Sequence, residues 1–183
     1  MRTLVLLALL CSSVVLGDTG NPVAQQKQEL AKMAREAAQK LEEHGNYVAL
    51  LQPIPQQNLR ASEIEPYVLM DSGWSAITEN GVWTMGKRSS IYIRLDEGET
   101  PGQLRIQGAY FNGEEPTRLF VNGQLLSETP LLDHTVELPP GLEGSPSLHI
   151  ELQHMNPMSP HDVNPKNRDI RKIKFKLEQI RVW

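Results

Sequence analysis

Cysteine is almost absent from this 183-residue chain, which carries one, Cys11. A disulfide framework is therefore excluded, and the domain must hold together by its core alone. The sequence has no Asn-x-Ser/Thr glycosylation acceptor. The common local signatures of catalysis are missing too: there is no Gly-x-Ser-x-Gly, no His-x-x-x-His pair and no phosphate loop. No excess of basic residues is present, and the formal net charge of −4 argues against nucleic acid or anionic lipid as a general partner. No apolar run reaches the roughly 20 residues needed to span a bilayer, so stable membrane insertion is not expected.

What is present begins with Arg2 ahead of an apolar run over 4–10, then Ser12 and Ser13, then Val14-Val15-Leu16-Gly17. Val15 and Gly17 occupy the −3 and −1 positions of a signal-peptidase site, which predicts a signal peptide over 1–17 with cleavage before Asp18. Leu10 stands where a lipobox needs a small residue, so Cys11 does not read as a lipid attachment site. Without disulfides or glycosylation sites, the expected compartment is a bacterial periplasm or the exterior.

Residues 22–44 are rich in Ala, Gln, Lys and Glu, and Leu30, Met33, Ala37 and Leu41 fall on one helical face. Pro22 suits the first turn and Gly45 the stop. Its thin apolar stripe fits either a solvated spacer or a surface for an envelope protein partner. Pro53, Pro55 and Pro66 break the chain into a connector, with one short strand expected over 47–51. The organisation expected is thus signal peptide 1–17, helix and linker 18–66, and a β-sandwich domain 67–183.

From residue 68 onward every periodic segment is a strand signal. Ile91, Ile93 and Leu95 alternate with Tyr92 and Arg94, and Leu148, Ile150 and Leu152 alternate with His149 and Glu151. Asn122-Gly123, between Val121 and Gln124, is a hairpin signal. In the last segment Ile173, Phe175 and Leu177 face one way and Lys172, Lys174 and Lys176 the other, until Ile180 and Val182 resume on the opposite phase. That slip near Glu178-Gln179 predicts a β-bulge. The Lys row reads as a solvated face. The fold class expected is mainly β: an antiparallel, jelly-roll-like sandwich preceded by an N-terminal α-helix.

Candidate site residues lie in two segments. In the first, Gly73-Trp74-Ser75-Ala76-Ile77-Thr78-Glu79-Asn80-Gly81-Val82-Trp83-Thr84-Met85-Gly86, the glycines permit tight turns. Exposed indoles stack on sugar faces and donate N–H groups to hydroxyls. Trp74 and Trp83 are the candidates for that role, against plugging the core, the reading preferred for Trp83. Glu79 either accepts from sugar hydroxyls or faces water. In the second segment, Asp169 and Arg171 stand two apart, placed for an anionic ligand or for an ion pair that pins the final strand, the preferred reading. His149, His154 and His161 cluster in sequence but read as scattered surface histidines, so no metal and no cofactor is implied.

These two segments carry a resemblance. A Gly-Trp motif followed by Gly-Val-Trp-Thr-Met-Gly, the Ser159-Pro160 loop, and Asp169-Ile170-Arg171 ahead of a closing strand together resemble the small β-sandwich domain at the extracytoplasmic end of bacterial membrane-bound phosphoglycerol transferases and glycosyltransferases. The similarity spans 68–183. This chain departs from the pattern at Asn80, where an acidic residue or Trp often stands, and at Lys172-Ile173-Lys174, where Leu-Gly is common. The resemblance implies a stand-alone jelly-roll-like module without catalytic activity of its own, associated with an envelope glycan or the machinery that builds it. A protein-binding adaptor using the 22–44 helix is the alternative reading, and a carbohydrate-active enzyme the third.

Overall fold

Among the described residues the alternating segments build two antiparallel sheets, each of five strands. In chain order the strands are β1 (Leu59–Arg60), β2 (Val68–Ser72), β3 (Val82–Met85), β4 (Arg88–Arg94), β5 (Gln103–Tyr110), β6 (Thr117–Val121), β7 (Gln124–Thr129), β8 (Asp133–Glu137), β9 (Ser147–His154) and β10 (Ile173–Val182). A single-turn helix, α1 (Pro160–Val163), precedes β10. The first sheet has the order β1-β10-β5-β8, with β3 also paired to β10; the second has β2-β4-β9-β6-β7. The computed structural model describes residues 47–140 and 147–183, together with Gln28, Lys32, Arg35, Gln39, His44 and Gly45. The signal peptide expected over 1–17 lies outside the described residues, as does most of the helix expected over 22–44. Among the described residues no helix is long and apolar enough to cross a membrane.

Burial follows the period of two. Ile91 and Ile93 of β4, Leu148, Ile150 and Leu152 of β9, and Leu119 and Val121 of β6 point from the second sheet into the core. Leu104 and Ile106 of β5 and Phe175, Leu177, Ile180 and Val182 of β10 meet them from the first. The slip expected near 178–179 is present: Leu177 pairs with Gly108 and Gln179 with Gln107, so Glu178 is the extra residue. The bulge keeps Ile180 and Val182 on the buried side after the phase changes. A second irregularity, between β3 and β10, is bridged by Thr84, whose hydroxyl donates to the Phe175 carbonyl at 3.0 Å and accepts from the Phe175 N–H at 2.9 Å. The β6–β7 hairpin turns on Asn122 and Gly123, both at positive φ (47° and 78°), as a primed turn requires.

Three expectations need correction. Residues 47–51 form no strand; Tyr47 and Val48 end a helical turn in which the Ala49 N–H donates to the Gly45 carbonyl. Arg94 ties this turn to the second sheet by donating to the carbonyls of Ala49 and Leu51, both at 2.7 Å. In the connector after it, Ile54, Leu59, Ala61 and Ile64 all enter the core. His149 and His154 are not surface residues. His149 is 1% exposed because its ring, on the outer side of the second sheet, stacks on Tyr92, which stacks in turn on His44. Nor is the Lys row solvated throughout: Lys174 is 2% exposed, with its ammonium 3.1 Å from Glu115 in the β5–β6 loop.

Candidate functional site

The Gly-rich segment forms a hairpin laid against both sheets. Its tip is closed by Thr78 and Gly81, each donating its N–H to the other's carbonyl. Two glycines fix its position by close approach. A Cβ on Gly73 would lie 2.0 Å from the Arg88 carbonyl oxygen, and one on Gly81 would lie 2.5 Å from that of Leu177. Both residues also have positive φ, so no other residue fits without strain. One glycine thus seats the hairpin on β4 and the other seats it on β10.

This seating separates the two tryptophans. Trp74 packs against the core and its indole N–H donates to the Ser90 carbonyl at 2.9 Å, so the polar edge of the ring is already used. Trp83 has the opposite placement. Val82 and Thr84 point inward from β3, which leaves Trp83 on the outer side of the first sheet, directly across from Lys176 of β10. Its ring meets Phe111 edge-on, with centroids 6.2 Å apart, and the Lys176 ammonium stands 5.7 Å above it. Both rings are half-buried: Trp83, for which a plug is the preferred expectation, lies on the outer side of the first sheet, and Trp74, for which site and core stand open, packs on the core.

Beside Lys176 the same side of the first sheet opens into a groove of about 400 Å³, lined by Arg60, Glu79, Asn80, Lys176, Glu178 and Gln179. Glu79 and Asn80 are exposed at the hairpin tip. Lys176 joins the groove to the aromatic pair, with its ammonium 2.7 Å from Glu178. Trp83 and Glu79, both expected site residues, thus share one side of the molecule. The pattern of the sequence did not mark Phe111, Arg60, Asn80, Glu178 or Gln179 as site residues, because chain folding alone brings them together. An apolar ring edged by amides, carboxylates and cations is suited to a polar ligand with one flat apolar face.

Asp169 and Arg171 stand elsewhere, ahead of β10. Arg171 clasps Asp169 through Nε at 2.9 Å and Nη2 at 2.6 Å. These hydrogen bonds hold the half-buried Asp169 carboxyl down at about 2. The Asp169 carbonyl accepts from the His161 N–H, and Asp162 caps α1 while pairing with Lys172, which holds its carboxyl well below the usual carboxylate range. The segment is a clip on the loop into β10, the preferred expectation for this pair. The three histidines are not gathered: His149 faces out from the second sheet, His154 faces in, and His161 lies on α1. Among the described residues no group of three or more His, Cys, Asp or Glu is placed to hold a metal ion.

No family model matches the chain, and no curated protein matches it in sequence. Among solved structures it is similar to an acetyl xylan esterase, Est2A, from the rumen bacterium Butyrivibrio proteoclasticus, at 13% identity and TM-score 0.42. That match covers 69% of this chain and 32% of the esterase, so the chain spans about a third of that protein's length. It is also similar to the carbohydrate-binding module CBM36, solved with calcium and xylotriose, at 13% identity and TM-score 0.37 over 69% of this chain and 99% of the module. A family 35 carbohydrate-binding module from Clostridium thermocellum is a third, at 10% identity and TM-score 0.34 over 68% and 97%.

Proposed function

We propose that this protein is a non-catalytic carbohydrate-binding or accessory module of the bacterial cell envelope, a jelly-roll-like domain secreted by its signal peptide and acting on a glycan or on the machinery that builds one. The observation that carries the reading is the Trp83 ring on the outer side of the first sheet, contiguous through Lys176 with a polar groove. A pyranose offers an apolar face to the ring and hydroxyls to its surroundings. Glu79 and Glu178 accept from such hydroxyls, Arg60 and Lys176 donate, and Asn80 and Gln179 do both. The resemblance of the hairpin and the closing segment to extracytoplasmic domains of phosphoglycerol transferases and glycosyltransferases supports the same reading, and with it a periplasmic location.

Co-sedimentation with a panel of insoluble envelope polysaccharides tests the proposal. Wild-type protein is expected to sediment with at least one of them, and Trp83→Ala to remain in the supernatant while keeping its melting temperature within a few degrees. If wild type sediments with none of the panel, the glycan reading falls.

A further inference from the structure

The third tryptophan stands on the same side of the first sheet as Trp83. Val182 is buried, and Trp183 after it keeps the pairing of β10 with β5: its N–H donates to the Gln103 carbonyl at 3.1 Å, and its carbonyl accepts from the Gln103 N–H at 2.9 Å. Alternation turns its ring outward, where the Arg181 guanidinium lies 4.6 Å from the ring centre. Trp83 has the same construction with Lys176, so the outward stretch of β10 begins and ends on a half-buried indole held by a cation. Between Lys176 and Trp183 the strand rises about 3.3 Å per residue, with Glu178 bulged out, which sets the two rings about 20 Å apart.

The surface between the rings is continuous and polar. The groove beside Lys176 and a small depression lined by Asn58, Arg105, Gln107, Gln179, Ile180 and Arg181 share Gln179, and together they run along β10. Gln179 stands across from Gln107 of β5, and among the described residues neither side-chain amide has a hydrogen-bond partner. An amide donates and accepts at once, as the hydroxyls of a sugar require. Charges along the trough are paired off: Lys176 lies 2.7 Å from Glu178, and Arg105 holds Asp133 through two hydrogen bonds of 2.6 and 2.7 Å. Paired charges give no excess field to select an anionic chain, whereas free amides between two aromatic rings suit an uncharged one.

We infer that the outer side of the first sheet is a single trough for a linear, uncharged polysaccharide, with Trp83 and Trp183 meeting sugar units near its two ends and Gln107 and Gln179 hydrogen-bonding to those between. The inference rests on the glycan reading above and adds the form of the ligand. An equatorially linked pyranose advances a chain by roughly one strand spacing, so the trough takes an internal stretch of about four units. Cello- and chito-oligosaccharides of two and six units are titrated into full-length protein by calorimetry. At least one six-unit chain is expected to bind about tenfold more tightly than its two-unit counterpart. Trp183→Ala, melting within a few degrees of wild type, is expected to lower the six-unit affinity by about fivefold and to shrink its advantage over two units. Gln179→Ala, which keeps both rings, is expected to do the same to a lesser degree. Equal affinity for two and six units, or an unchanged six-unit affinity in both variants, would overturn the trough while leaving the Trp83 groove as a sugar site. Wild type that sediments with a panel polysaccharide yet binds none of these oligomers would overturn it as well, and wild type that sediments with none removes the function on which it rests.

Discussion

Gly108 on β5 shows how closely the first sheet is packed. Its backbone is ordinary strand, so alanine meets no conformational strain there, and the consequence of substitution is purely steric. A Cβ at this position would lie 2.0 Å from the Lys176 carbonyl oxygen and 2.5 Å from Cζ of Phe175. Neither can give way cheaply. The carbonyl belongs to β10, the strand shared by every pairing but one in this sheet, and the Phe175 ring is fully buried against Tyr110. Overpacking a core of this kind costs about 1–3 kcal/mol, and more when backbone must move. The lower entropy of the unfolded alanine chain returns only about 0.4–1 kcal/mol. Gly108→Ala is therefore expected to lose about 2 kcal/mol, a fall of roughly 4–8 °C in Tm for a chain of this length. Gly102→Ala is the control, since its nearest neighbour would be the Trp183 carbonyl oxygen at 4.0 Å, and it should melt at or slightly above wild type. Equal melting temperatures for wild type and Gly108→Ala would refute the reasoning, because β5 and β10 would then not approach as described.

Two further predictions follow from the same core. Phe175→Ala removes the largest inward side chain of β10 and should cost about 3–5 kcal/mol in urea unfolding; a small change would mean that the strand is inside out. His154, with its pKa lowered from 6.5 to about 4 in the folded protein, binds its proton more readily when unfolded. Its contribution is therefore complete above pH 6.5 and is lost as pH falls toward 4, on the order of 3 kcal/mol in all. Unfolding measured across that window should show a slope that His154→Gln reduces, most clearly above about pH 5 where carboxylates contribute little, and an unchanged slope would place the ring elsewhere.

The inner half of the sandwich was legible because period-two alternation is a local property. Ile91, Ile93, Leu148, Ile150 and Leu152 announce their strands, Asn122-Gly123 its turn, and the phase slip before Ile180 its bulge. What lies over the outer side of each sheet was not legible. His149 and Lys174 occupy outward positions by pattern, yet Tyr92 and Glu115 bury them from distant parts of the chain. The placement of the two tryptophans was not legible for a similar reason. Which hairpin ring turns outward is set by the seating of Gly73 on Arg88 and of Gly81 on Leu177, contacts that no local pattern encodes. The Asp169–Arg171 clip, by contrast, joins residues two apart, and its geometry could be anticipated from spacing alone.

The central claim is that Trp83, and not Trp74, meets the ligand. The most direct measurement uses two single-tryptophan proteins, one retaining Trp83 (Trp74→Phe with Trp183→Phe) and one retaining Trp74 (Trp83→Phe with Trp183→Phe), titrated with soluble fragments of the polysaccharide that wild type binds. The account predicts a saturable shift in emission from the protein that keeps Trp83 and none from the protein that keeps Trp74. A ligand-dependent signal confined to Trp74, or saturable binding that leaves Trp83 emission unchanged, would contradict it.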